Sequence, residues 1–174
     1  MDYARVEVSS QSNNAQPLDT NFPNSNFAVN YSPSLSFGNN DLDVAIQSLS
    51  INVGPQSGKD SLTNLDIFVL GNVVAPTTIT ADQMYPILAR ATASQVNQRI
   101  TIDFSNNLSW SKCSARQFSQ LTFQIVTDTF IASKGASRDF ANIHTPHNAN
   151  ATTLSLVWRR RIPMVGDYEL SGNR

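Results

Sequence analysis

The stretch NFAVNYSPSLSFGNNDLDVAIQSLSINVG, residues Asn26–Gly54, decides the fold. Apolar residues alternate at Phe27, Val29 and Tyr31, pause at Ser32-Pro33, and resume at Leu35 and Phe37. A turn, GNND, fills Gly38–Asp41, and Leu42, Val44 and Ile46 alternate again. A period of two sends every second side chain to one face, so these are strands with one buried side. Beyond Ile46 the apolar set moves to Leu49, Ile51 and Val53. A step of three reverses the buried face unless the strand absorbs an extra residue, which predicts a bulge near Gln47-Ser48.

The same reading extends outward. Leu65–Val74 (LDIFVLGNVV) is dense in β-branched and aromatic residues and reads as a central strand with a bend at Gly71. Ala75-Pro76 stops it, and Thr77–Met84 is expected to hold a short helical turn with Thr80 as N-cap. Further strands are predicted over Ile87–Ala91, at Ile100, Ile102 and Phe104, and at Leu108 and Trp110. Two more follow at Leu121, Phe123 and Ile125, with Val126 on the opposite face, and at Leu154, Leu156 and Trp158. About eight strands without a long amphipathic helix indicate an all-β antiparallel sandwich or barrel. Eight is the number a jelly roll needs, though strand count alone does not separate it from immunoglobulin-like or lectin-like sandwiches. Residues 1–25, set apart as an N-terminal arm, open with a short alternation at Val6 and Val8 that reads as a short strand, followed by a polar arm or long loop. Residues 26–161 form the domain, and residues 162–174, without a clear period, form a tail.

Composition bounds the chemistry. In 174 residues only 14% are charged and the net charge is -1, which implies neither a broad nucleic-acid face nor a polyanionic tail. Up to Lys59 the only positive side chain is Arg5, so the basic arm that neutralises packaged genome in many small RNA-virus coats is missing. Cys113 is the single cysteine and is expected to fill space as a small apolar group. The polar, acidic opening MDYARVEVSSQSNN carries no leader-like apolar run, so neither a signal peptide nor a membrane span is expected.

Motifs for catalysis fail one by one. Gly58-Lys59 is followed by Asp60 where a P-loop needs Ser or Thr, and Val53 stands where its first Gly belongs. No G-x-S-x-G elbow occurs, and Asp66, Asp82 and Asp103 have no distinctive setting. His144 and His147, in HTPH, lack the further ligands a metal site requires. No enzyme activity, cofactor or metal is therefore expected. Two surfaces remain as interaction candidates. Arg159, Arg160 and Arg161 form the one concentrated charge run, read either as a partner contact or as a guard against edge pairing. The 128–150 segment, with Phe130, Phe140, His144 and His147, is expected to be a long irregular loop and a candidate interface.

Three segments together resemble a family. Phe27, Val29, Tyr31, Pro33, Leu35 and Phe37, followed by Val44, Ala45, Ile46, Leu49 and Ile51, are similar to the opening of penton-type minor capsid proteins. These occur in polinton-like viruses, virophages and related double-stranded DNA viruses. Ile100–Asp128 resembles their penultimate strands, and TTLSLVWRRR their closing strand. The 128–150 segment departs from the short hairpin found there. The resemblance implies an eight-stranded single jelly roll and a homopentamer at capsid vertices, touching major capsid proteins. It places the protein in the virion, with contact to an inner membrane surface left open and direct nucleic-acid contact not expected. The alternative is a receptor- or carbohydrate-binding β-sandwich of a virion or tail, with its site on the 128–150 loop.

Overall fold

Strand β4 (Leu42–Val53) is the element on which one whole sheet is assembled. The computed structural model describes residues 3–38, 41–53, 65–80, 83–93, 98–133 and 151–161. One edge of β4 pairs with β12 (Thr153–Arg160), which in turn pairs with β1 (Tyr3–Ser9). The other edge is shared: β9 (Gln98–Asp103) lies along the second half and β10 (Ser111–Lys112) touches Asp43 and Val44. The second sheet runs β2 (Ala15–Pro17), β3 (Asn26–Ser36), β11 (Gln117–Thr127), β5 (Leu65–Gly71), β8 (Ile87–Ala93). Every pairing is antiparallel. The chain crosses between sheets from β1 to β2, β3 to β4, β4 to β5, β8 to β9, β10 to β11 and β11 to β12. The fold is all-β, two antiparallel sheets closed on one core.

The predicted bulge is present. Ser155 faces Ser48 while Leu156 faces Ile46, so Gln47 is the extra residue on β4. Ile46 and Leu49 thus both point inward, 3% and 1% exposed, despite their odd spacing. The carbonyl of Gln47, displaced from the ladder, accepts from Phe104 N–H at 2.8 Å. The pause at Ser32-Pro33 is a second excursion. Asn30 faces Gln120 and Leu35 faces Phe118, leaving residues 31–34 opposite Ser119 alone.

The core is built from alternating positions of both sheets. Leu154, Leu156 and Trp158 of β12 meet Phe27 and Val29 of β3 and Leu121, Phe123 and Ile125 of β11 in one buried cluster. Trp158 stacks on Phe37 at 4.9 Å between ring centroids. Gly71 ends β5 where a Cβ would lie 3.3 Å from the Thr122 carbonyl oxygen, a close approach that the bare backbone permits.

Four expectations are corrected. The short strand read at Val6 and Val8 is present as β1, which completes one sheet, but the rest of residues 1–25 does not stand off as an arm: β2 edges the other sheet, and Ser10, Asn24 and Ser25 are buried. The polarity of Ser10 and Asn24 is absorbed by pairing, as Ser10 Oγ donates to Asn24 Oδ1 and accepts from Thr152 N–H. The helical turn expected over Thr77–Met84 is a hairpin of β6 (Thr77–Thr80) and β7 (Gln83–Tyr85), because β-branched TTIT favours extended backbone. The 128–150 loop opens with a helix, α1 (Asp128–Ala132), which packs Phe130 and Ile131 against Phe68, Leu70 and Val126 on the outer side of the second sheet. Leu108 and Trp110 lie in an irregular connection rather than a strand.

Truncating the buried indole removes both its area and the Phe37 stack. Trp158→Ala should cost about 3–5 kcal/mol in urea unfolding; a change under about 1 kcal/mol would contradict its place in the core.

Candidate functional site

The arginine run is placed by the end of β12. Side chains alternate there, so Trp158 faces the core, Arg159 the outer side, and Arg160 the rim beyond Leu42. Arg159 and Arg161 converge on one carboxylate. Asp43, 14% exposed at its side chain, accepts from Arg161 Nη2 at 2.9 Å and Nε at 3.1 Å, and pairs with Arg159 Nε at 3.5 Å. The Arg159 guanidinium also lies 4.2 Å above the Trp110 ring, a cation–π contact. Arg161 N–H donates to the Asp41 carbonyl, carrying the ladder one step past the sheet. Two of the three arginines are therefore structural ties across β12 and β4. Arg160 is exposed and makes no ion pair among the described residues.

Residues not singled out in the sequence reading join this end. Lys112 sits opposite Asp43 on the far edge of β4. Arg116 pairs with Asp41 at 2.8 Å, and that hydrogen bond and charge hold the Asp41 carboxyl below its usual range. The signal for the Asp43 tie was legible in principle: acids at 41 and 43 opposite arginines at 159 and 161 match the antiparallel register of two neighbouring strands.

The loop candidate divides. Phe130 is 9% exposed and its ring lies 6.4 Å from Tyr85, so it is a packing residue of α1 rather than part of an exposed interface. Phe140, His144 and His147 lie outside the described residues. Cys113 is a core side chain as expected, and burial pushes its thiol up to about 12. The Trp158 indole N–H has no regular hydrogen-bond partner and acts on that thiol only as a weak neighbour.

Several concavities are lined by the described residues. A cleft of about 320 Å³ separates β8 from the β9–β10 connection, with Ile46 and Phe104 in its lining and Arg90 as its one ionic group among the described residues. A smaller one, about 160 Å³, lies between the start of β4 and the residues after β10. Among the described residues no group of three or more His, Cys, Asp or Glu side chains converges, and no helix is long and apolar enough to cross a membrane. The chain matches no family model, no curated protein and no solved structure.

Removing the shared acid leaves two half-buried guanidinium groups facing each other. Asp43→Ala should destabilise the fold by about 1–3 kcal/mol, whereas Arg116→Ala, which breaks an exposed pair, should change it by under about 1 kcal/mol. Denaturant midpoints that rank the two the other way would show that Asp43 is not a tie. The thiol gives a second check. In the folded protein it keeps its proton to about 12, while the unfolded thiol ionises near 9.0. Its stabilising contribution is full below the unfolded value and falls as pH rises through that window. At about pH 8 Cys113 should therefore react with a disulfide reagent only on unfolding.

Proposed function

We propose that this chain is a structural subunit of an icosahedral viral capsid, the vertex-forming protein, acting by shape rather than by catalysis. The observation that carries the reading is strand order. Number the long strands β1, β3, β4, β5, β8, β9, β11 and β12 from first to eighth. One sheet then runs first, eighth, third, sixth, and the other second, seventh, fourth, fifth. We read this interleaving as a single jelly roll, an architecture found among capsid subunits.

Fold alone does not carry function. The capsid half of the reading is supported by the resemblance of Phe27–Phe37, Ile100–Asp128 and the closing strand to penton-type minor capsid proteins. The mechanism is geometric: two stacked sheets fill a wedge, and neighbours bury the loops and edges at its ends. Self-association into a homopentamer supplies the first interface and major capsid proteins the second. Such obligate interfaces bury large areas, so an isolated protomer should be less stable than the ring.

Native mass spectrometry of the purified chain tests the proposal. The expected result is a ring of five whose dissociation lowers the melting temperature. A protein that stays monomeric at high micromolar concentration would overturn the vertex role, and a trimer would replace it with another capsomer position.

A further inference from the structure

Lys112, Arg116, Arg159, Arg160 and Arg161 meet at one end of the sandwich, with Asp41 and Asp43 between them. Among the described residues, five cations against two acids leave an excess of three positive charges, in a chain whose net charge is -1. The cations are not equivalent. Arg159 and Arg161 are committed to the partly buried Asp43. Arg160 and Lys112 are exposed and flank the start of β4 on opposite edges, their backbones two strand spacings or about 10 Å apart, with Lys112 on the face of Asp43 and Arg160 at the rim on the face of Leu42. Arg116 is held only by a pair exposed at both ends, 58% and 59%, which an incoming anion exchanges at little cost.

We infer that this end docks an acidic segment of a partner protein, whose carboxylates are taken by Arg160, Lys112 and Arg116. The concavity beside them, about 160 Å³ and lined by Asp41, Leu42, Lys112, Cys113, Ser114, Ala115 and Arg116, accepts one side-chain head, and an incoming carboxylate there takes Arg116 from Asp41. It is smaller than the roughly 300 Å³ at which small-ligand pockets begin. The arginine fork matches a carboxylate bidentately. A nucleic-acid backbone fits less well: the two aspartates lie between the cations, and a net excess of three positive charges neutralises only about three phosphates. The inference is independent of the capsid reading, since it rests on charge placement and holds for any partner with such a segment.

Fluorescence anisotropy with the intact chain and a labelled hexaglutamate peptide at low ionic strength tests it. Saturable binding is expected, weakened by about fivefold or more in the Lys112→Glu/Arg160→Glu variant. Both positions are exposed, and an unchanged melting temperature verifies that the variant folds. Arg99→Glu, at the far end of the same sheet, should leave affinity nearly unchanged. Absence of saturable binding, equal affinity in the double variant, equal loss in Arg99→Glu, or tighter binding of labelled oligothymidylate would each overturn the inference. Oligomeric state is a separate readout, so its failure and this one are distinguishable.

Discussion

The register between β4 and β12 is the constraint from which the rest of the sandwich follows. With Gln47 extruded, Ile46 and Leu49 lie over Leu156 and Leu154, and the inner face of the sheet is apolar along its length. Without that extra residue, every side chain beyond Ile46 would change sides, and Leu49 and Ile51 would face water. The displaced Gln47 carbonyl also anchors the chain just after β9. One residue therefore sets the burial of two strands and the position of a third. Because β12 also carries β1, this sheet is complete only when segments about 150 residues apart have met. Contacts so distant in sequence make folding slow relative to helical proteins of this size.

Much of this was legible where a strand has one wet and one dry face. Ile100 and Ile102, the inward set of β11 and the inward set of β12 all fall where their alternation places them. Val126 was read as facing away from its neighbours, and it does: it joins Phe68, Leu70 and Phe130 in a separate cluster on the outer side of the second sheet. The step of three at Ile46–Leu49 announced its own bulge. Segments whose local signal was weak were read only in part. β1 shows only Val6 and Val8 because its other face carries Arg5 and Glu7, which pair with each other at 2.6 Å. Its membership in the sheet depends on β12, which no local window contains. α1 is five residues long, too short to display a helical period, and its consecutive Phe130 and Ile131 are both buried because the helix is seated across a sheet.

The candidate site was half legible. The arginine run is plain in the sequence, but its division into two structural ties and one free charge needs the Asp43 carboxylate, over a hundred positions earlier. Charge proximity in the chain therefore overstates how many charges are available for a partner. What remains available comes from three separate segments, β12, β10 and the residues after β10, gathered by their common position around the start of β4.

The antiparallel pairing of Tyr3 with Arg159 has a practical corollary. The incoming and outgoing ends of the described chain emerge side by side, at the cationic pole of the sandwich. A fluorescent protein, tag or cargo attached before Tyr3 is thus presented at the same pole as one attached after Arg161, and the opposite pole stays unencumbered. A display scaffold built on this fold would have a single loading side, chosen by topology rather than by the engineer.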